Sequence, residues 1–126
     1  MKNVLIIGVG LLGSSLLRRI KKKNLAKKVF IYEKSKKNLA KIKKLRLPGI
    51  IVSQLHKAIS QSEFIIVCTP MSEYKKIILG MNKYLTSKHI ITDVGSSKLK
   101  SLEIIKKNLK KNVFWSSSHP IAGSEV

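Results

Sequence analysis

The chain alternates short, continuously apolar runs with lysine-rich stretches in which apolar residues recur every three to four positions. NVLII (residues 3 to 7) is the first run, bounded by glycine, the pattern of a strand buried on both faces. Residues 11 to 23 read as a helix. Leu12, Leu16, Leu17 and Ile20 fall on one face, and the lysines of KKK gather at the C-terminal end, where the helix dipole favours cations. KVFIYE (28 to 33) predicts a second strand, and residues 36 to 46 a helix with Leu39, Ile42 and Leu45 as its apolar stripe, halted by Pro48-Gly49. The alternation continues with strands GIIVS (49 to 53), EFIIVC (63 to 68), HIITDV (89 to 94) and NVFWS (112 to 116). Between them fall a helical turn near 55 to 60 and helices over 72 to 84 and 98 to 109. Strands apolar throughout, alternating with amphipathic helices, imply parallel strands covered on both faces. The expected fold class is α/β, a doubly wound parallel sheet of about six strands.

With 126 residues and 44% hydrophobic content, the chain has room for one domain and enough apolar material for a core without disulfide or metal staples. It carries no internal repeat, low-complexity tract or linker, so the domain is expected to span residues 1 to 126. The single cysteine, Cys68, ends an apolar run and reads as a reduced core residue, which fits a reducing cytoplasm. The start, MKNVLIIGVGLLGSSLL, has the charge and hydropathy of a signal peptide, but three glycines interrupt it and no cleavage site follows. No run reaches the roughly 18 apolar residues of a membrane helix, so a soluble protein without a membrane partner is expected.

The net charge of +20 raises the question of nucleic acid. Only Arg18, Arg19 and Arg46 are arginines, and the lysines are spread over nearly every predicted helix instead of one stripe. Aromatic residues are 6% and lie in or beside predicted strands, leaving no stacking platform. The reading is a solvated lysine surface with no specific nucleic-acid partner, though one that still attracts anionic ligands.

Candidate chemistry collects after the strand ends. The first strand runs into GVGLLG, where Gly8, Gly10 and Gly13 match G-x-G-x-x-G with Leu11 and Leu12 between the last two. In that context Gly8 permits the tight turn, Gly10 lets the backbone approach a pyrophosphate, and Gly13 lets the helix pack closely. The helix N-terminus adds N–H groups and partial positive charge. Glu33, 20 residues after Gly13 at the end of the second strand, is placed to accept from the adenosine ribose hydroxyls and to repel a 2′-phosphate, so NAD is expected over NADP. Lys34, Lys36 and Lys37 oppose that preference and keep NADP as the alternative. Thr69 and Pro70 follow strand four, and Asp93, Gly95, Ser96 and Ser97 close or follow strand five, at the carboxyl ends where open α/β sheets bind ligands. Cys68 and Pro70 flank the expected nicotinamide route, while His56 and His89 match no motif and read as structural.

Four stretches, GVGLLGSSL, CTPMSEY, DVGSSK and SHPIAGSE, occur in the order in which they follow strands one, four, five and six. On these the chain resembles the N-terminal, nucleotide-binding half of the prephenate dehydrogenase family, over its whole length. The resemblance implies a Rossmann-type domain and oxidative decarboxylation of prephenate to 4-hydroxyphenylpyruvate on the route to tyrosine, with hydride passing to the nicotinamide and no metal. It implies that His119 hydrogen-bonds the substrate's ring hydroxyl and assists its conversion to a carbonyl, that Ser96 holds that histidine and the hydroxyl, and that Glu125 helps gate the pocket mouth. A histidine with an ordinary pKa near 6.5 suits the proton uptake that hydride loss from a carbinol demands. On this reading residues 116 to 126 lack lysine because they form a pocket wall. Members of the family continue into a helical C-terminal domain that builds the homodimer and supplies basic residues for the substrate carboxylates. This chain stops one residue after Glu125, so it is expected to hold half an active site and to be inactive alone. Arogenate as the substrate, or a non-catalytic dinucleotide-binding module, are the alternatives.

Overall fold

The computed structural model describes residues 2–94 and 98–116. In chain order the elements are β1 (Val4–Ile7), α1 (Leu11–Lys23), β2 (Val29–Tyr32), α2 (Lys36–Lys44), β3 (Ile50–Ile51), α3 (Leu55–Ser60), β4 (Phe64–Val67), α4 (Tyr74–Asn82), β5 (Ile90–Asp93), α5 (Lys98–Asn108) and β6 (Phe114–Ser116). The strands form one six-stranded sheet in the order β3-β2-β1-β4-β5-β6. Every pairing is parallel, as the strand-helix alternation predicts. The chain winds outward from β1 to β3, then returns to the other side of β1 with β4. The strand order therefore reverses between β1 and β4, the point at which a doubly wound sheet opens a crevice.

Successive side chains of a strand point to opposite faces, and β1 feeds a separate core on each. Val4 and Ile6 pack with Leu16, Leu17 and Ile20 of α1 and Ile42 of α2. Leu5 and Ile7 pack on the other face with Ile59 of α3, Tyr74, Ile78 and Met81 of α4 and Ile105 of α5. All four β1 residues are at most 2% exposed, which is why the run shows no polar alternation. Each such side chain contributes about 1.5–3 kcal/mol of transfer free energy to holding the β1/β4 junction in place.

The sheet edges depart from the expectation of strands covered on both faces. β3 is two residues long, and Ile50 and Ile51 are exposed because, among the described residues, no strand pairs beyond this edge. At the opposite edge Phe114 of β6 is 60% exposed. The helix expected to reach residue 46 ends at Lys44. Arg46 takes φ 50°, and the Leu47 N–H returns to Ile42 O at 3.1 Å, so the chain turns away before Pro48 and leaves Leu45 outside the apolar stripe. The helix expected from residue 72 is a 3-10 turn at Met71–Glu73 that tightens into α4. Among the described residues no helix is long and apolar enough to cross a membrane.

Candidate functional site

At the C-terminal edge of the sheet, over the β1/β4 reversal, lies a cleft of about 660 Å³. Its walls come from the β1–α1 loop (Gly8, Val9, Gly10), the end of β2 and start of α2 (Glu33 to Ser35, Asn38), the β4–α4 connection (Cys68 to Met71, Glu73) and Val94 after β5.

The loop glycines have separable reasons. Gly8 has φ +84°, and a Cβ there would stand 2.6 Å from Thr69 Cγ2. Its N–H donates to Tyr32 O at 2.9 Å, tying the loop to β2. A Cβ on Gly13 would stand 2.8 Å from Gly8 O, so α1 can approach the loop only through a glycine. A Cβ on Gly10 would meet nothing within 4 Å. The fold therefore demands Gly8 and Gly13, whereas the bare Gly10 leaves open space on the cleft side. Gly10 is also the N-cap of α1 and gives no side-chain hydrogen bond to the first turn, which contains no acidic residue. That end of the helix can receive an anion.

Glu33 is fixed by the backbone on both sides. Oε1 accepts the Val9 N–H at 2.6 Å and Oε2 accepts the Ser35 N–H at 3.0 Å. A carboxylate offers about four lone-pair sites, so two bonds leave capacity for a pair of hydroxyls. Ser35 caps α2, its Oγ accepting the Asn38 N–H at 3.2 Å, which sets the direction of that wall.

Across the sheet reversal, Thr69 Oγ1 is buried without a hydrogen-bond partner. The Cys68 thiol is pushed up to about 12, first by burial and then by the negative charge of Asp93. It stays protonated at neutral pH and is a poor nucleophile. Behind this wall, Tyr74 is fully buried and its hydroxyl donates to Asp93 Oδ2 at 2.8 Å.

Of the residues singled out from the sequence, Gly8, Gly10, Glu33, Thr69 and Pro70 line the cleft, and Gly13 supports it from below. Leu11 and Leu12 open α1. Asp93, expected among the cofactor contacts, does not line the cleft: it is 4% exposed and points to Tyr74. Gly95, Ser96, His119 and Glu125 lie outside the described residues. The strands that lead to them are neighbours. Thr92 pairs with Ser116, and Thr92 Oγ1 donates to Ser116 O at 2.8 Å, so β5 and β6 leave the sheet side by side. The sequence reading gave no role to Ser35, Asn38, Met71, Glu73 or Tyr74. The stretch CTPMSEY contains three of them, but their roles depend on a turn that periodicity does not reveal.

An empty approach at Gly10, spare acceptors on Glu33 and an orphaned hydroxyl on Thr69 fit a dinucleotide laid across the reversal. The pyrophosphate would lie at the glycine loop, the adenosine ribose at Glu33 and the nicotinamide toward Thr69 and Val94.

Comparison with known proteins follows the same line. The chain is 29% identical over 124 residues to a cyclohexadienyl dehydrogenase of Zymomonas mobilis, covering 98% of this chain and 42% of that protein. It is 32% identical over 128 residues to a prephenate dehydrogenase of Lactococcus lactis, covering 98% of this chain and 35% of that protein. The chain thus spans about two-fifths or less of the length of these relatives. The crystal structure of prephenate dehydrogenase from A. aeolicus in complex with hydroxyphenyl propionate and NAD+ shares the fold, with a TM-score of 0.70 at 22% identity over 86% of this chain and 40% of that one. The family described as prephenate dehydrogenase, nucleotide-binding domain, matches residues 16–126, and the chain belongs to that family.

Proposed function

We propose that the cleft binds NAD and that this chain is the cofactor-binding half of an enzyme that oxidatively decarboxylates prephenate to 4-hydroxyphenylpyruvate. The observation that carries the cofactor assignment is Glu33, held by two backbone N–H groups at the adenosine end of the cleft with acceptor sites to spare. A carboxylate there accepts from both ribose hydroxyls and repels a 2′-phosphate. The A. aeolicus neighbour, whose crystals contain NAD+, is consistent with this.

When bound, the nicotinamide supplies a hydride acceptor. The residues of this chain do the remaining work. The glycine loop and the α1 N-terminus hold the pyrophosphate, Glu33 fixes the ribose, and the Thr69–Pro70 turn shapes the nicotinamide side. His119, supported by Ser96, takes the proton of the ring hydroxyl as the carbinol becomes a carbonyl, and Glu125 guards the mouth; these assignments rest on the motifs HPIAGSE and DVGSSK. Loss of carbon dioxide and aromatisation drive the reaction, so positioning is most of the protein's task. Turnover would require a further helical, dimer-forming domain, in keeping with the 35–42% of the relatives that this chain spans.

Titrating NAD and NADP against the chain and against Glu33→Ala tests the assignment. NAD is expected to bind more tightly than NADP, and the substitution to narrow the gap by about tenfold through loss of charge-assisted bonds to the ribose. An unchanged preference would show that Glu33 is not the selector.

A further inference from the structure

The acidic residues are placed unevenly. The chain has six Asp and Glu against a net charge of +20. At the β4/β5 end of the cleft, Glu73 nevertheless lines the wall and Asp93 stands just behind it. Asp93 is paired with Val67 across the two strands, so the next residue on each, Cys68 and Val94, is the one that faces the cleft. A strand rises about 3.3 Å per residue, which puts the Asp93 carboxylate within about 10 Å of a ring lying on that wall.

A nicotinamide ring carries a positive charge when oxidised and none when reduced. We propose that Asp93, oriented by Tyr74, is a specificity-determining residue that makes this cleft prefer the oxidised nicotinamide dinucleotide over the reduced one. The inference rests on the reading of the cleft as a dinucleotide site. Among the described residues two carboxylates, Glu73 and Asp93, are near enough to act, and burial decides between them. Glu73 is exposed, so water and salt screen it. Asp93 is 4% exposed and acts through protein, where a unit charge at roughly 10 Å and an effective dielectric near 20 changes an equilibrium by about tenfold or somewhat more. The same charge already reaches the wall, since it adds to the upward shift of the Cys68 thiol after burial. The 2.8 Å bond from the Tyr74 hydroxyl holds the carboxylate in the core, making Tyr74 a positioning residue.

The test is a set of titrations of this chain with NAD+, NADH and ADP-ribose, which lacks the ring. Asp93→Asn removes the charge and keeps an acceptor for Tyr74. It is expected to raise the Kd for NAD+ about tenfold and to move those for NADH and ADP-ribose by less than about twofold. Parallel changes for all three ligands, or an unchanged NAD+ to NADH ratio, would overturn the proposal. The wild-type chain gives a second reading that does not depend on the variant folding. A buried source predicts that the NAD+ preference survives from about 0.05 to about 0.5 M salt, and a preference that collapses over that range belongs to exposed groups and overturns it. Absence of ADP-ribose binding to wild type would sink the dinucleotide reading itself. Binding of ADP-ribose without a preference for NAD+ over NADH would sink the proposal alone.

Discussion

Gly8, Gly10 and Gly13 share one motif, yet the surroundings of each set different costs for a methyl group. At Gly8 an alanine would have to hold φ +84° and displace Thr69. At Gly13 it would press on a backbone oxygen. Each of these substitutions is expected to cost about 1–3 kcal/mol, from strain in the first case and overpacking in the second. Gly10→Ala meets no atom of the protein and is expected to cost about 1 kcal/mol or less, the scale of a change at an N-cap, while weakening NAD by about tenfold or more because its methyl occupies the pyrophosphate approach. Urea unfolding and nucleotide titration of the three variants separate the two effects. A Gly10→Ala chain that binds NAD normally would show that the pyrophosphate does not approach there. The motif spacing alone could not rank the three positions, because it reports that glycines recur and not what each one faces.

The elements show where sequence patterning holds and where neighbours override it. β1 and β4 were legible because a strand buried on both faces is apolar at every position, and Leu16, Leu17 and Ile20 mark the buried side of α1 in the same way. Leu45, Ile50 and Phe114 were misread as covered because periodicity records hydropathy, whereas exposure at an edge depends on whether another element arrives there. Glu33 was legible as a cleft residue from its distance to the glycines, but its bond to the Val9 N–H joins elements 24 residues apart and left no local trace. The Tyr74–Asp93 bond is hidden for the same reason, and it moved Asp93 from the cleft wall to the core. His89 illustrates the point with a testable cost. Its Nδ1 accepts the Thr86 N–H at 3.0 Å, and the other ring nitrogen faces Ile59 O at 3.0 Å, so a neutral ring ties the entry of β5 to α3. His89→Ala would remove the buried ring and both of its bonds, leaving Ile59 O with the Ser62 N–H alone at 3.1 Å, and is expected to lower unfolding stability by about 1–3 kcal/mol with nucleotide affinity nearly unchanged. A stability loss within experimental error would mean that water replaces the ring.

At the scale of the whole molecule, a chain of net charge +20 forms a cleft that, among the described residues, has Glu33 and Glu73 on its walls and Asp93 behind them. The arrangement separates attraction from selection. The lysine surface draws any polyanion by releasing its counterions, and this long-range term falls steeply with salt. Under the proposed function, selection would come from the few groups that touch or face the bound molecule, with the Glu33 carboxylate at the β2 end set to repel a 2′-phosphate. A duplex should therefore experience the attraction without finding a reading element. The lysines lie on many helices, the three arginines fall on α1 and in the turn after α2, and of the exposed aromatic residues among those described Phe114 is on β6 while Tyr84 follows α4 with its ring against His56 at 5.7 Å. Fluorescence anisotropy with two labelled duplexes of unrelated sequence is expected to give weak, equal binding at about 0.05 M salt and none by about 0.2 M, while NAD binding at the same two salt concentrations falls by much less, because a dinucleotide presents only two phosphate charges. Binding that distinguishes the duplexes and persists at about 0.15 M would assign the basic surface a recognition role of its own. Equal, salt-labile binding would leave that surface as a general attractor around a cleft that chooses by contact.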